Sequence, residues 1–388
     1  IVGQQDIFND YAYIPNYMPS SSTASYQFGN DFVTMLRPDA YDYNLQWEKT
    51  ATTNIGLDFG FLKNRINGAV DVYQKYTYDL LGVVPIPAGT NFSNRVLTNV
   101  GQMSNRGIEA NVNFVLVSNE TSSFEIGVNG ALNRNKILKL ALVDDTASPG
   151  IQVGGISGGV GNTIQIHALN NPMFTYFGFE QRFDANGRPI EKSTTPNLGS
   201  YSGTVDIDGD GKISDIEAYV DQNGDGVINT ADLKVFRNRS PEPRTLFGLS
   251  LNFTHKRWSG GATVRAELGQ YVYNNVRSVN GNYFSVGGSQ PHLTNLTSDF
   301  LESQFRTPQY LSSYYLENAS YLRLDNLYLS YNLGKLYKDR FASSLNISMQ
   351  NALVLTKYRG LDPEIAGGID NNLYPRPRVF NIQLNVQL

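Results

Sequence analysis

The sequence predicts an all-β fold, an antiparallel transmembrane β-barrel with long extracellular loops. Apolar and polar residues alternate with a period of two in several segments, which is the period of a β-strand. The polar positions of these segments are rich in Asn, Gln, Gly and Ser, as expected of strands that line an aqueous lumen. Short and very long connections alternate along the chain, and membrane-spanning barrels have this arrangement.

The composition of the 388 residues favours strands over helices. Aromatic residues make up 12% of the chain, with 24 Tyr and 20 Phe, and such residues are enriched in strands. Charged residues make up 17%, against about 25% in typical soluble domains. No stretch approaches the roughly 18 consecutive apolar residues of a transmembrane helix. The lack of cysteine excludes disulfides, thiol catalysis and cysteine metal sites.

Nine segments fit the pattern of barrel strands. The alternation is cleanest at 54–61, 107–116, 124–133 and 380–388. In these segments Phe59, Phe114 and Leu384 lie on the apolar face, which we expect to meet lipid rather than a second sheet. The predicted spans are 46–61, 66–77, 106–117, 124–138, 246–254, 258–272, 320–333, 343–356 and 379–388.

The connections between these spans are unequal in length. Short turns are predicted at 62–65, 118–123, 255–257 and 334–340. Long polar stretches are predicted at 78–105, 139–245, 273–319 and 357–378. Compact soluble domains seldom contain repeated loops longer than about 15 residues, whereas outer-membrane barrels have long loops outside and short turns on the periplasmic side.

The odd number of spans indicates that the chain is one part of a larger barrel. Single-chain bacterial barrels close with an even number of strands. An open edge in lipid would leave backbone groups unpaired, at several kcal/mol each. We therefore expect residues 1–388 to form the carboxyl-terminal part of a barrel whose other strands come from residues not in this sequence.

Several blocks of sequence resemble one known family and occur in the same order as in that family. They include Asn54-Ile55-Gly56-Leu57-Asp58-Phe59-Gly60-Phe61-Leu62 and Leu361-Asp362-Pro363-Glu364, together with 2–6, 87–92, 99–101, 105–109, 318–326 and 374–378. The chain resembles the second half of SusC-like TonB-dependent transporters of Bacteroidetes outer membranes. Such blocks in the right order are more specific than any single one.

The resemblance implies a barrel of 22 strands with a plugged lumen, located in the bacterial outer membrane. It implies an amino-terminal plug and a TonB-contacting segment, neither of which is present in this chain. It also implies a SusD-like surface lipoprotein over the outer mouth. The implied function is TonB-dependent import of an oligosaccharide or oligopeptide, without enzyme activity. The chain departs from the family in ending at Leu388, where such barrels usually end with an aromatic residue.

Acidic residues are concentrated in an insert at 206–232, which we assign to an extracellular loop. The chain carries 31 basic and 35 acidic residues, a formal charge of −4, which argues against a nucleic-acid partner. The insert holds eight acidic residues and one basic residue, Lys212.

Two successive stretches of the insert fit the 12-residue loop that binds Ca²⁺ through oxygen ligands. The first has oxygens at the expected positions in Asp206, Asp208, Asp210, Lys212 (carbonyl), Ser214 and Glu217, and the second in Asp221, Asn223, Asp225, Val227 (carbonyl), Asn229 and Asp232. Gly211 and Gly226 stand at the turn position. Only Ala218 to Val220 separate the loops, which is too short for the helices of paired EF-hands. We expect Ca²⁺ to have a structural role, and the alternative is a solvated acidic turn.

Other motifs give weaker indications of function. The stretch 155–159 matches G-x-S-x-G around Ser157, but no strand–turn–helix context is predicted there. His167, His255 and His292 are scattered without metal-ligand spacing. Aromatic residues near outer strand ends are interpreted as a membrane girdle or, for some, as ligand contacts; they are Tyr41, Tyr43, Trp47, Tyr271, Tyr273, Tyr314, Tyr315 and Tyr321. The alternative to an importer is a secreted, calcium-stiffened, β-rich adhesin or glycan-binding protein.

Overall fold

The computed structural model describes residues 11–19, 25–87, 89–140, 149–159, 161–191, 218–283, 295–336, 341–371 and 374–387. Strands dominate this part of the chain. In chain order they are β1 (Tyr17–Pro19), β2 (Ser25–Phe28), β3 (Asp31–Thr34), β4 (Leu36–Pro38), β5 (Lys49–Phe61), β6 (Ile66–Pro85), β7 (Arg95–Asn119), β8 (Ser122–Lys139), β9 (Ile151–Gly155), β10 (Thr163–His167), β11 (Thr175–Gly178), β12 (Lys234–Val235), β13 (Thr245–His255), β14 (Trp258–Leu268), β15 (Tyr271–Tyr273), β16 (Leu316–Asn318), β17 (Tyr321–Leu336), β18 (Phe341–Thr356) and β19 (Val379–Gln387).

Helices are short in the described residues. The α-helices are α1 (Asn275–Asn280) and α2 (Phe300–Ser303), and 3₁₀ turns lie at Thr230–Asp232, Ser313–Tyr315 and Ala366–Gly368. None of the helices described has the length and apolar character needed to cross a membrane.

The nine predicted spans form one antiparallel sheet. Its strand order is β19-β18-β17-β14-β13-β8-β7-β6-β5, so each strand lies beside its predicted sequence neighbours. The all-β antiparallel fold is therefore confirmed. Among the described residues the sheet is open, because β5 and β19 at its edges each pair with a single strand of the sheet.

Two strands are longer than the sequence predicted. The stretch 78–105 was expected to be a loop, but β6 continues to Pro85 and β7 begins at Arg95. The register shifts between Thr77 and Leu80 and then resumes, with Leu80 opposite Gly101. A bulge of this kind inserts unpaired residues without ending a strand, which is why the polar interruption in the sequence did not mark a strand end.

One face of the nine-stranded sheet is apolar across its full width. Successive cross-strand partners form a row with one residue from each strand: Phe61, Ile66, Phe114, Ile126, Leu251, Ala262, Leu327, Met349 and Phe380. Several side chains on this face are largely exposed in the chain, for example Ile55 at 74% and Leu384 at 60%. An apolar face this extensive and uncovered is the face that a membrane-spanning sheet presents to lipid.

The opposite face of the sheet is polar. An adjacent row of cross-strand partners consists of Gly60, Asn67, Asn113, Gly127, Ser250, Thr263, Asn326 and Gln350. Because side chains alternate between faces along each strand, the two rows separate apolar from polar residues. This is the predicted arrangement of a lipid-facing exterior and a hydrated lumen.

Short turns join the strands at one end of the sheet. In the turn at 62–65, Leu62, Lys63 and Asn64 all have positive φ. Arg65 closes this turn, since its Nε donates to the Val115 carbonyl at 3.0 Å and its Nη2 donates to the Leu116 carbonyl at 2.6 Å. The predicted turn at 334–340 includes residues 337–340, which lie outside the described residues.

The long connections at the other end of the sheet fold into a packed region of their own. They contain a four-stranded sheet, β12-β11-β10-β9, and the pair β15-β16. The largest buried cluster of the described residues lies here and comprises Ile156, Ile164, Tyr176, Phe236, Tyr273, Phe305, Tyr315 and Leu316. Tyr176 anchors this core by donating to the carbonyls of Tyr271 and Gly368, each at 2.7 Å. The long connections therefore have a hydrophobic core of their own.

Candidate functional site

A cavity of about 560 Å³ lies in the region formed by the long connections. Its walls come from α1, from the residues that lead into α2, and from the connection after β18. Several charged and polar residues contribute to the lining; they include Arg277, Thr297, Asp299, Glu302, Arg359 and Asp370. The cavity thus lies at the end of the sheet where the long connections are, and its wall combines apolar surface with charged groups.

Arg277 is positioned by the start of α1. The side chain of Asn274 caps this helix by accepting from the Arg277 backbone amide at 3.1 Å. The Arg277 guanidinium donates to Asp299 and Glu317 and lies 5.2 Å from the centre of the Tyr314 ring. The side chains of Arg277 and Asp299 are only 8% and 1% exposed, so the charges are paired within the protein rather than hydrated.

The same carboxylates order the neighbouring segments. Tyr314 donates from its hydroxyl to Asp299 Oδ1 at 2.7 Å. The Arg359 backbone amide donates to Glu317 Oε2 at 2.8 Å, which ties the connection after β18 to this network. Burial together with the Asp299 carboxylate raises the pKa of Tyr314, so its phenol remains a neutral donor. Burial lowers the pKa of Arg277, but Glu317 and Asp299 outweigh it and the pKa is raised.

Two buried polar atoms at the cavity have no hydrogen-bond partner among the described residues. They are Asp299 Oδ2 and Thr297 Oγ1, and both residues line the cavity. Buried polar atoms without a partner are uncommon because each costs free energy. Both atoms are inaccessible to solvent, so they lie within the wall of the cavity and do not face its open space.

A second ionic cluster fastens the connection after β18 to the polar face of the sheet. Arg265 of β14 donates to Glu364 and to Asp325 of β17. Arg323 of β17, whose side chain is 1% exposed, donates to Asp362 at 2.6 Å. Both acceptors in the connection belong to the block Leu361-Asp362-Pro363-Glu364 that carried part of the family resemblance.

The second predicted calcium loop, 221–232, is an ordered chain of Asp and Asn turns. Asp221 accepts from the amides of Gly224 at 2.7 Å and Gly226 at 2.8 Å, and Asp225 accepts from the Val227 amide at 2.8 Å. The Gly226 amide is the main cause of the lowered pKa of Asp221. Gly224 and Gly226 both have positive φ, as these turns require.

Asp232 closes this loop from a buried position. Its carboxylate accepts from the amides of Gln222 and Asn229, at 2.9 and 2.8 Å. Within the described part of the chain, no three acidic or histidine side chains converge as a metal site. The predicted ligand oxygens of the second loop lie along one turn and accept hydrogen bonds from backbone or side-chain donors of the same loop. They belong to Asp221, Asn223, Asp225, Val227 (carbonyl), Asn229 and Asp232. Residues 206–217, including Asp206, Asp208, Asp210, Lys212, Ser214 and Glu217, lie outside the described residues.

The aromatic residues divide into two groups. Tyr43 and Trp47 are exposed, at 80% and 49%. Tyr273, Tyr315 and Tyr321 are buried, so the girdle interpretation is wrong for them. Tyr273 and Tyr315 are buried because the long connections form their own core, whereas Tyr321 lies in β17 beside the guanidinium groups of Arg265 and Arg323.

The G-x-S-x-G stretch does not form a catalytic arrangement with His255, one of the two described histidines. Ser157 Oγ accepts from Asn275 Nδ2 at 2.7 Å. His255 lies in the turn region at the opposite end of the sheet and contacts Ser122 through Nδ1 at 2.8 Å. His292 lies outside the described residues.

The sequence analysis missed the cavity and both ionic clusters. Arg277, Asp299 and Glu317 lie far apart in sequence, and no short motif joins them. A usable signal was present for the second cluster, because Arg265 and Arg323 are charged residues inside alternating strands that are otherwise poor in charge.

Comparison with known proteins identifies the family. Residues 6–352 match the profile of the family described as "TonB dependent receptor-like, beta-barrel". The chain is 34% identical over 394 residues to the TonB-dependent receptor SusC of Bacteroides thetaiotaomicron, covering 100% of this chain and 36% of that protein. It is 27% identical over 368 residues to a TonB-dependent receptor of Formosa agariphila, covering 89% of this chain and 34% of the relative. The chain thus spans about a third of the length of these relatives.

Solved structures show the same fold. The structure titled as the RagAB peptide transporter superposes with a TM-score of 0.71 at 23% identity, over 97% of this chain and 39% of that one. The 'open-open' state of the RagAB peptide importer gives a TM-score of 0.70 at 21% identity, over 98% and 38%. The predicted resemblance is confirmed by these findings. The chain is thus similar to SusC, it belongs to the TonB dependent receptor-like β-barrel family, and its strands lie in the bacterial outer membrane.

Proposed function

We propose that the full-length protein imports a large nutrient ligand, an oligosaccharide or an oligopeptide, across the bacterial outer membrane. The observation that carries this proposal is the two-faced sheet, in which an apolar row runs across all nine strands and a polar row across the eight strands from β5 to β18. A sheet of this kind, in a chain of this family, supports a lipid-facing wall around a hydrated passage. The mode of action is transport without covalent chemistry.

The loop cavity is our candidate for part of the outer ligand site. It contains both signs of charge in a space of about 560 Å³. Sugar hydroxyls would match the polar side chains of the lining by hydrogen bonding, and a peptide would match Arg359 and Glu302 at the exposed side of the cavity through its charged groups. The chemistry of the lining therefore accommodates either ligand class.

Two partners complete the proposed transporter. A SusD-like surface lipoprotein would close the outer mouth over captured ligand, and TonB would open the lumen by pulling on a plug formed by residues outside this chain. The relationship to SusC and the fold shared with RagAB support this assignment. In this scheme the long connections hold the ligand and contact the lipoprotein, while the sheet supplies the passage.

A growth assay tests the proposal. A strain that lacks the full-length protein should lose growth on, and uptake of, one defined class among labelled oligosaccharides and oligopeptides, and deletion of TonB should have the same effect. Asp299→Asn should lower uptake of that ligand about tenfold or more, whereas Glu120→Gln, in the turn after β7, should not change it. Normal uptake of every tested ligand in the deletion strain would contradict the proposal.

Cell fractionation separates this proposal from the secreted adhesin. An adhesin must be soluble without detergent, but the uncovered apolar row of the sheet would aggregate in water. We expect the protein in the outer-membrane fraction, where it is released only by detergent. Recovery from the culture medium as a soluble protein would favour the adhesin instead.

We also propose that the loops at 206–217 and 221–232 bind Ca²⁺ in a structural role. Support comes from the oxygen-only donor set and, in the second loop, from the Asp and Asn turns around Gly224 and Gly226. The protein's contribution would be to hold Asp221, Asn223, Asp225 and the Val227 carbonyl along one turn, and Ca²⁺ would draw their oxygens together on binding. Ca²⁺ would thereby lower the entropy cost of ordering a long extracellular loop.

Calorimetry on the detergent-solubilised full-length protein tests this proposal. Ca²⁺ should bind at millimolar concentration or below, and Mg²⁺ should bind more weakly because it retains its water. Asp221→Asn with Asp225→Asn should remove one binding event, and Asp206→Asn with Asp210→Asn should remove the other. Asp184→Asn, in an Asp turn outside both loops, serves as the control. Absence of Ca²⁺ binding at millimolar concentration would remove the proposal.

A further inference from the structure

The apolar face of the sheet ends in a group of basic residues on the side of the long connections. Along β6, β7 and β8 the exposed apolar positions end at Val72, Ile108 and Leu132. The next outward positions on β7 and β8 are Arg106 and Arg134. Because alternate residues of a strand share a face, both arginines project from the lipid-facing side of the sheet. Basic residues thus replace apolar ones at the same level on adjacent strands.

The height of this basic group matches the edge of the hydrocarbon layer. From Val117 to Ile108 the lipid-facing positions of β7 span about 30 Å along the strand, or about 23 Å in height at a tilt of about 40°. The apolar band of outer-membrane barrels is about 25 Å tall. Arg106 therefore lies where lipid headgroups begin. The stacked rings of Tyr76 and Tyr78, with centroids 6.4 Å apart, are exposed just beyond it, as expected of an interface.

Arg106 and Arg134 are direct cross-strand partners. Like charges placed directly opposite each other destabilise a sheet unless a counter-charge lies between them. Neither arginine, nor Lys136 in the next row, forms an ion pair within the described part of the chain. Among the described residues, therefore, no ion pair offsets this repulsion.

Two adjoining cavities of about 530 Å³ meet at these arginines. The polar cavity adds Lys136 and Arg244, with Glu242 as the carboxylate in its lining. Glu242 accepts a hydrogen bond from Asn135 and forms no ion pair with a described residue. The other cavity is an apolar groove that runs down the lipid-facing side over Ile55, Val72, Ile108 and Leu132. Gln74, Arg106 and Arg134 border both cavities.

We propose that this paired cavity binds a phosphorylated lipid of the outer leaflet, with its phosphate between Arg106 and Arg134 and an acyl chain in the groove below. The positive charge of the two arginines favours an anionic headgroup, and a guanidinium group can donate two parallel hydrogen bonds to the oxygens of a phosphate. The groove selects a lipid over a soluble anion, because it buries apolar chain directly beneath the charges. The inference needs only the membrane location of the sheet and is independent of the ligand that the protein imports.

Native mass spectrometry of the detergent-solubilised full-length protein tests the site with three probes. Phosphatidic acid should be retained, phosphatidylcholine should be retained about tenfold less, and inorganic phosphate should bind at least tenfold more weakly than phosphatidic acid. If inorganic phosphate binds as tightly as phosphatidic acid, the lipid assignment is wrong.

Matched variants distinguish this site from general charge attraction. Arg134→Gln should reduce retention of phosphatidic acid about tenfold, and Arg134→Lys should retain part of it. Lys75→Gln removes the same charge at a similar height on the opposite face, where the Lys75 ammonium lies 5.0 Å from the Tyr73 ring centre, and should have no effect. Equal losses in Arg134→Gln and Lys75→Gln would overturn the proposal.

Without anionic lipid, Arg134→Gln should unfold at the same or a higher temperature than the parent protein, because the repulsion is relieved.

Discussion

Arg265 and Glu364 form a paired hydrogen bond between the sheet and the connection after β18. Arg265 Nη1 donates to Glu364 Oε1 and Nη2 donates to Oε2, both at 3.0 Å. Arg376 adds a bond to the same carboxylate at 2.8 Å. A planar guanidinium fork matches a carboxylate in this way, so Glu364 holds the connection in one orientation over the polar face.

Replacing Glu364 by Gln should release this connection. The amide cannot accept both Arg265 bonds, and bonds to charged groups contribute about 1.5–3 kcal/mol. We expect hydrogen exchange of the amides in 357–371 to accelerate roughly tenfold to a hundredfold. Glu302→Gln is the control, because its ion pair with Arg359 is about half exposed and contributes about 0–1 kcal/mol. Unchanged exchange in Glu364→Gln would show that other contacts hold the connection.

The same pair makes the connection sensitive to acid. Burial raises the pKa of Glu364, but Arg265 and Arg376 outweigh burial and hold the pKa at about 2, below its ordinary value of 4.5. Because the pKa is depressed in the folded state, the stabilisation is complete above about pH 4.5 and is lost as the pH falls toward 2. Hydrogen exchange of 357–371, corrected for its intrinsic pH dependence, should show protection falling within this window. Glu364→Gln should lack that fall.

Gly368 should tolerate no side chain. It has a φ of +74°, and a Cβ atom there would lie 2.3 Å from Tyr176 Oη and 2.4 Å from Pro241 Cβ. Gly368→Ala should therefore displace Tyr176 and destabilise the loop core by about 1–3 kcal/mol beyond the backbone cost. Gly367→Ala separates the two effects, because Gly367 has a φ of +73° and open space around its Cβ position. Trypsin cleavage of the long connections should be faster in Gly368→Ala than in Gly367→Ala.

Removing one partner of the buried pair Arg323–Asp362 should destabilise the protein strongly, whereas replacing both partners with apolar residues should destabilise it little. Asp362→Ala leaves the nearly inaccessible guanidinium without its carboxylate, at about 3–5 kcal/mol. Changing both residues together, Arg323→Met with Asp362→Leu, should recover most of that loss, because apolar residues carry no desolvation cost. Thermal unfolding in detergent measures both changes. A double variant as unstable as Asp362→Ala would contradict this account.

A charged residue should lower the stability of the protein far more on the apolar face of β18 than on its polar face. Met349 is in the apolar row between Leu327 and Phe380, whereas Ser348 pairs with Tyr328 and Asn381 on the polar face. Met349→Arg should destabilise the protein in lipid vesicles by about 2–4 kcal/mol, while Ser348→Arg should cost little. Urea unfolding in vesicles and the yield in the outer membrane check this prediction. Equal costs would mean that lipid does not contact the Met349 face.

Strand prediction succeeded wherever alternation was regular. In 54–61 and 379–388 each residue type already specifies its face, because successive side chains point to opposite sides of a strand. It failed at 78–85 and 95–105, where strand pairing continues beyond the bulge that follows Thr77 and interrupts the alternation. Pairing depends on the neighbouring strand, which no local pattern reveals.

The binding features were less predictable than the strands. Arg277 and Asp299 come together only through the packing of α1 and the segment before α2. Tyr273 and Tyr315 looked like girdle residues because they lie near strand ends, yet both are in the loop core. The basic pair of Arg106 and Arg134 requires knowledge of register, since a shift by one residue would place one of them on the polar face.

The order of amino acids by itself determined the nine spans, their two faces and the short turns, because strand periodicity and turn chemistry act over a few neighbouring residues. Only the tertiary structure decided which residues meet across strands and how the long connections pack around Tyr176. Those contacts join residues that are distant along the chain, and their energies arise from burial and ion pairing that exist only once the chain has folded.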